Sequence, residues 1–338
     1  AMVIAETLDQ AKNAAELIEI KFDMLASVTD TAPTVKPDSP PVWEQCPDNI
    51  SNVFEIGDAE TTEKLIQSAS KIVKRRFVIT RVHAQFIEPR GALGEYNERN
   101  NRYTLYADVQ YPHRVRQVLA EKIFRIPEQR IRVVAADVGG GFGAKGWQYV
   151  EHRLVLWASK KIGRPVKWTC ERSESILADE HGRDNVTDAE LALDANNNFL
   201  ALRVSTLANV GAYISSIRNL LSTFANVGTL VGVYRFQAAH SKVLCVLSNT
   251  NPTAPYRGAG RPEASYVIER LIDEAAKELG LDPAELRQRN IVNSTETPYK
   301  TALMFTYDCG EFDKNMNTVL EISNYHKFSE RRNKSVTR

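Results

Sequence analysis

The chain has 338 residues, 43% of them hydrophobic and 25% charged, and a formal net charge of +1. That is an ordinary composition for a folded chain of two domains or a little more, and so even a balance leaves no electrostatic footprint for nucleic acid or a membrane surface. No apolar run approaches the ~18 residues of a membrane span, no signal peptide opens the sequence, and the cytoplasm is the expected compartment. The four cysteines, Cys46, Cys170, Cys245 and Cys309, lie far apart without a C-x-x-C pair. This spacing argues against a zinc or iron–sulfur centre built from this chain's thiols alone. The one local charge excess is the basic tail of Lys327, Arg331, Arg332, Lys334 and Arg338, which reads as a solvated end.

In chain order, AMVIAET reads as a buried strand, Leu8 to Ile18 as a helix with Ala11, Ala14, Ala15 and Ile18 on one face, and Glu19 to Leu25 as an alternating strand. Such a unit is too small to be a domain, so the sequence is expected to begin inside one. Five prolines between residues 31 and 50 mark an extended linker. Helical spacing resumes over Ala59 to Ser70. Arg75 to Val82 and Tyr103 to Val109 read as strands, Pro112 as the first residue of a helix carrying Val115, Leu119, Ile123 and Phe124, and Ile131 to Val138 as a strand. A helix follows from Trp147 to Ile162, with Trp147, Val150, Leu154, Trp157 and Ala158 on its inner face. With the strand Pro165 to Thr169 it closes a βαβ-like unit. Ala189 to Leu193 and Phe199 to Thr206 flank a hairpin turn, and Val243 to Leu247 is a short strand. The helix Tyr266 to Leu279 ends at Gly280, Asp282-Pro283-Ala284-Glu285 opens another, and Phe312 to Phe328 reads as the last. The expected class is α+β, a mixed α/β fold with mixed sheets.

Three stretches have chemical potential. The first is Gly139-Gly140-Gly141-Phe142-Gly143, between a strand and a helix. Glycine there lets backbone N–H groups approach an anionic ligand, and Gly139-x-Gly141-x-x-Ala144 fits the loose dinucleotide fingerprint, with Glu171 ending the next strand. By spacing alone the turn is either such a cradle or a tight packing turn. The second is the loop Asn251 to Glu263, in which Arg257 has the geometry to donate to an oxygen-rich ligand or to pair with a local carbonyl. The third is a set of isolated polar residues near strand ends, His83, Glu88, Gln110 and His240, for which the ordinary role is a satisfied structural group.

Taken together, Gln110-Tyr111-Pro112-His113, the glycine turn and Tyr256-Arg257-Gly258-Ala259-Gly260-Arg261-Pro262-Glu263 resemble the molybdenum-binding large subunit of the xanthine dehydrogenase, aldehyde oxidase and aerobic carbon monoxide dehydrogenase family. The resemblance runs over nearly the whole chain, with the three motifs in order. It implies that residues 1–30 are the end of an α/β hammerhead domain, 31–58 a Pro-rich linker, and 59–338 the first molybdopterin-binding domain. It implies that Gln110 hydrogen-bonds an oxo ligand of molybdenum. Gly140, Gly141, Phe142 and Gly143 would bring backbone amides to the metal's oxygen ligands and the pterin, with Arg257 and Gly258 in the active-site loop. Tyr256, Ala259, His240 and Gly146 would line the substrate pocket. No residue of this chain would bind the metal directly. The implied cofactor is molybdenum–molybdopterin, in its cytosine dinucleotide form. The implied chemistry is hydroxylation of an aldehyde or N-heterocycle by a water-derived oxygen, with electrons leaving to a 2Fe–2S small subunit and an FAD-binding medium subunit.

The sequence also departs from family patterns. The purine-oxidising members have a glutamate where Gly146 stands, an arginine at His240 and a phenylalanine at Ala259. The copper-containing carbon monoxide enzymes have a cysteine at Gly258. The Tyr-Arg-Gly-Ala-Gly-Arg loop is closer to the form II relatives. The family's general base is a glutamate in a Gly-x-Gly-Glu context far beyond this loop. Gly91-Ala92-Leu93-Gly94-Glu95 mimics that pattern too early in the chain. The base is therefore expected outside these residues, supplied by a second chain or lost with the rest of a longer one. Two other readings stay open: a non-catalytic fragment or docking scaffold, and a Rossmann dehydrogenase using Gly139, Gly141 and Ala144. The isolated 338 residues are expected to turn over no aldehyde or heterocycle. A steady-state assay with a dye acceptor checks this, and measurable turnover would contradict it.

Overall fold

A computed structural model describes residues 1–220 and 227–336. The elements in chain order begin with α1 (Leu8–Glu16), β1 (Ile50–Gly57), α2 (Ala59–Ser68) and β2 (Lys71–Ile79). Then come β3 (Gly91–Asn97), β4 (Arg102–Ala107), α3 (Pro112–Val118), β5 (Ile131–Val134), α4 (Val150–Ile162), β6 (Val166–Thr169) and α5 (Arg172–Ala178). They are followed by β7 (Asn185–Leu193), β8 (Phe199–Gly211), β9 (Ala238–Leu247), α6 (Arg261–Leu279) and α7 (Pro283–Asn290). The chain closes with β10 (Tyr299–Lys300), β11 (Thr306–Tyr307), α8 (Phe312–Ile322) and α9 (Phe328–Val336). The class is the expected mixture of α and β with mixed sheets.

The chain forms two compact units that interleave in sequence. The first holds Ala1–Val28, His83–His181 and Pro255–Arg257, the second Thr29–Val82, Gly182–Ala254 and Gly258–Arg338. Within the second unit, Val82 and Gly182 exchange both backbone hydrogen bonds, at 3.0 and 2.8 Å, where the chain leaves and returns.

The second unit is built on a five-stranded sheet in the order β1-β9-β8-β7-β2, antiparallel except for the parallel β8–β9 pair. The alternation of each strand splits its side chains between two faces. Val73, Leu191, Leu193, Leu202 and Val204 face α6, and Ala192 and Ala201 face Ile66 of α2. β9 is apolar at both ends, Ala238-Ala239 and Val243 to Leu247, with the polar His240, Ser241 and Lys242 between them. α6 repeats Ala264, Val267, Ile268, Leu271, Ile272, Ala275 and Ala276 at helical spacing, all buried. Gly280, at φ 67°, closes α6, and Asp282 accepts from Ala284 N at 2.7 Å to cap α7.

The first unit has a four-stranded sheet, β5-β4-β3-β6, with β4 and β5 parallel. α4 crosses it through Val155, Leu156 and Ala158. A Cβ on Gly94 would lie 2.5 Å from the Val155 carbonyl carbon and 2.7 Å from Leu156 N. Glycine at 94 therefore lets the helix backbone touch the strand, and the Gly-x-Gly-Glu mimic is a packing strand. This contact also turns α4 away from the expected face. Val150 and Trp157 are exposed, while His152, Val155, Leu156 and Ser159 are buried.

Several expected elements differ. AMVIAET and Glu19 to Leu25 are not strands, and Leu17, Phe22, Met24 and Leu25 are exposed. No strand pairs with either segment among the described residues, and an unpaired strand has no ladder to hold it. Ile50–Gly57, placed by sequence inside the Pro-rich 31–58 segment, is β1, held by β9. β5 ends at Val134 and α4 begins only at Val150, so the glycines lie in a long loop and not in a Rossmann strand–turn–helix. Glu171 caps α5. The last helix divides into α8 and α9 at Asn324, which has φ 50°. Arg338 lies outside the described residues.

Two stability predictions follow from the first unit. Gly94→Ala should cost about 1–3 kcal/mol by overpacking, read as a lowered denaturation midpoint, and an unchanged midpoint would contradict the packing argument. His152 titrates at about 3, because burial and then the nearby Arg90 charge oppose its protonation. The unfolded imidazole takes its proton near pH ~6.5, so stability should fall as pH drops from about 6.5 towards about 3 and be retained above. Denaturation midpoints of wild type and His152→Gln across that window test this, and parallel profiles would exclude His152 as the cause.

Candidate functional site

In the first unit the glycine loop folds against two short segments. Gly140 and Gly143 take φ values of 97° and 105°, and Phe142 between them takes 50°. Left-handed backbone is cheap for glycine and costly for phenylalanine, so the loop holds Phe142 by its surroundings. A Cβ on Gly143 would lie 1.9 Å from the Pro255 carbonyl oxygen. Beside this contact, Arg257 N donates to Phe142 O at 2.8 Å. Tyr256 packs against Ala84, Phe86 and Ala144, and the Arg257 guanidinium stands 5.9 Å from the centre of the Phe142 ring.

Gln110 completes the arrangement. Its backbone N donates to Lys145 O at 2.9 Å, and its Oε1 accepts from Gly143 N at 2.9 Å. A Cβ on Gly141 would lie 2.7 Å from that same oxygen. With Oε1 engaged, Nε2 donates to no described group. The backbone N–H groups of Gly141 and Phe142 likewise have no described acceptor. Gln110, Phe142 and Arg257 are exposed. The side-chain NH2 of Gln110 and the peptide N–H groups of Gly141 and Phe142 thus stand together as one rim, all donors, with the Arg257 side chain beside the Phe142 ring. That set suits a ligand rich in oxygen acceptors. Gly146 is buried just behind it, its N donating to Gly143 O at 3.1 Å.

The remaining expected residues lie in the second unit. Gly258, Ala259 and Gly260 are consecutive left-handed residues, with φ of 94°, 46° and 93°, at the entrance to α6. Three such residues in a row fix the turn tightly, and Gly258 lies against the Pro262 ring. Glu263 in the first turn of α6 is buried and pairs with Arg183 at 2.5 Å. His240 lies on β9, with Nε2 2.7 Å from Glu55 Oε1. No described contact joins His240 to the loop residues.

Sequence reasoning missed the charges beneath the loop. Lys145 is 1% exposed, and its ammonium donates to Glu88 O at 2.8 Å and to Glu88 Oε2 at 3.0 Å and forms an ion pair with Asp108 Oδ2. Burying an ammonium costs several kcal/mol, and the two Glu88 hydrogen bonds and the Asp108 ion pair offset that cost here. Glu88 Oε2 also accepts from Gly139 N at 2.7 Å. Burial raises the Glu88 carboxyl, but the Lys145 and Gly139 hydrogen bonds outweigh it and hold the group below the usual carboxylate range. A lysine two residues after a glycine run, with one carboxylate shortly before β3 and another just after β4, was the available signal. A second buried cluster joins Arg90 to Asp179 at 2.5 Å and to Glu151 at 2.8 Å, with Tyr149 stacked 3.8 Å below the guanidinium. His83 hydrogen-bonds Asp179 at 3.1 Å and Gln85 at 2.7 Å.

Comparison with known proteins gives the site a context. Residues 42–291 match the family described as the molybdopterin cofactor-binding domain. The chain is 32% identical over 339 aligned positions to the carbon monoxide dehydrogenase large chain of Hydrogenophaga pseudoflava, covering 96% of this chain and 42% of that one. It is 28% identical to the xanthine dehydrogenase molybdenum-binding subunit of Escherichia coli O157:H7, covering 86% and 38%. Its fold superposes on quinoline 2-oxidoreductase from Pseudomonas putida 86 with a TM-score of 0.92, at 29% identity, over 98% of this chain and 42% of that chain. The chain thus spans about two fifths of the length of these relatives. No helix among the described residues is long and apolar enough to cross a membrane. The chain belongs to the molybdopterin cofactor-binding domain family, as part of a molybdenum-binding large subunit of the xanthine dehydrogenase and carbon monoxide dehydrogenase group.

Proposed function

We propose that the glycine loop, Gln110 and Arg257 hold the molybdopterin cofactor, and that the complete enzyme hydroxylates an aldehyde or N-heterocycle. The observation that carries this reading is the donor rim itself. Gln110 Nε2 and the amides of Gly141 and Phe142 have no acceptors among the described residues, at a place where a Cβ on Gly141 or Gly143 would meet the Gln110 carboxamide or the Pro255 carbonyl. Bound there, molybdenum–molybdopterin would supply the redox chemistry and activate the water-derived oxygen.

The chain's own contribution is placement. Gly143 N fixes which way the Gln110 carboxamide points, so the NH2 hydrogens stand ready for an anionic oxygen without rotation at the moment of reaction. The amides of Gly141 and Phe142 are held in place by the backbone bond from Arg257 to Phe142 and by the left-handed turns. Arg257 adds a fixed positive charge. Tyr256 covers Ala84, Phe86 and Ala144 and keeps water from that flank. The small residue at Gly146 leaves out the polar anchor that the purine-oxidising members carry there. The cytosine dinucleotide form of the cofactor, an FAD-binding subunit, a 2Fe–2S subunit and a general-base glutamate outside these residues complete the proposal.

The test uses the complete enzyme purified from its native host. Wild type should carry stoichiometric molybdenum by elemental analysis. Gln110→Ala should retain the metal but lose about 10²–10³ in kcat, the usual cost of one preorganised donor, with KM little changed. Folded wild type without molybdenum, or an unaltered kcat in the variant, would contradict the proposal.

A further inference from the structure

We infer that Lys145 and Glu88 are positioning residues for the donor rim, a role that rests on the cofactor reading above. The buried Lys145 ammonium joins three parts of the first unit. It holds Glu88 through both its carbonyl and Oε2, and it holds Asp108, whose Oδ1 accepts from Gly91 N at 2.9 Å at the start of β3. Its own carbonyl accepts from Gln110 N at 2.9 Å. The Phe86 ring lies 4.5 Å from the ammonium nitrogen and is fully buried.

Glu88 carries this anchor to the glycine loop on two bonds. Glu88 Oε2 accepts from Gly139 N at 2.7 Å, and Glu88 N donates to Gly139 O at 3.2 Å. A Cβ on Gly139 would lie 2.5 Å from Glu88 Cβ, so the loop rests directly on this residue. Gly139 is two residues from the open Gly141 amide, and Gln110 is two from Asp108. One cation therefore sets the entry of the glycine loop on one side and the Gln110 carboxamide on the other. Lys145 is 1% exposed, with two hydrogen bonds to Glu88 and an ion pair to Asp108. Burial keeps the ammonium from touching a ligand, which marks it as a positioning group and not a catalytic one.

The test compares Glu88→Ala, Glu88→Gln and Lys145→Met in the complete enzyme, by molybdenum content, thermal midpoint and the electron paramagnetic resonance spectrum of Mo(V). Glu88→Gln keeps an oxygen for Gly139 N and Lys145, so its spectrum and kcat should stay close to wild type. Glu88→Ala removes both bonds. It should shift the Mo(V) spectrum and lower kcat by about 10–100-fold, the scale on which supporting hydrogen bonds act at metal sites, with KM less affected. Lys145→Met should shift the spectrum in the same way if it folds, and the two Glu88 variants decide the matter if it does not. A lowered thermal midpoint in Glu88→Ala with a wild-type spectrum would overturn the inference, reducing Glu88 to fold support. So would a Glu88→Gln spectrum as altered as that of Glu88→Ala. Wild type without molybdenum would overturn the cofactor reading and this inference with it.

Discussion

The site depends on one steric constraint: at two glycines the backbone comes so close to its neighbours that a Cβ would collide. Gly143 lies against the Pro255 carbonyl, and Gly141 lies against the Gln110 carboxamide. Each approach removes a side chain's worth of space and leaves peptide groups as the surface. Protein interiors pack too densely to tolerate an inserted methyl at such a point. The loop is therefore fixed by the absence of side chains, and its hydrogen bonds then decide which amides are used internally and which face outward. Gly139, Gly140, Gly143, Ala144 and Gly146 donate within the protein, while Gly141 and Phe142 have no acceptor among the described residues.

The rest of each unit serves that kind of precision. In the first, the four-stranded sheet and α4 form a rigid block, and the loops before Gln110 and around the glycines leave it at defined points. The buried charges beneath them, Lys145 with Glu88 and Asp108, cost desolvation but fix orientation. A hydrophobic substitute would pack as well but specify less, the trade expected where polar groups are retained in a core. In the second, α6 starts from three left-handed residues and is anchored at its first turn by the Arg183–Glu263 pair, so the turn through Gly258 and Ala259 has little freedom.

Much of this was legible where local chemistry decides the outcome. Pro112 opens α3, Asp282 caps α7, Gly280 ends α6, and the hairpin of β7 and β8 turns at Asp194 to Asn198. Motif order identified the family, because three motifs in register carry far more information than one glycine turn. What stayed hidden depends on distant parts of the chain. β1 looks like linker until β9 pairs with it. α4 presents Val155 and Leu156 rather than Trp157, because Gly94 draws its backbone onto β3. The segments around residues 1–25 have strand-like patterns but no partner among the described residues. Lys145 is an ordinary lysine in the sequence, and only the fold buries it between two carboxylates. The interleaving of the two units, too, is a property of long-range contacts that no local pattern encodes.

The most direct measurement is a crystal structure of the complete enzyme with data collected at the molybdenum absorption edge. The account predicts an anomalous peak beside the Gln110 carboxamide and the Gly141–Phe142 backbone, with oxygen ligands facing those donors. A peak elsewhere, with Gln110 and both amides facing bulk water, would contradict it.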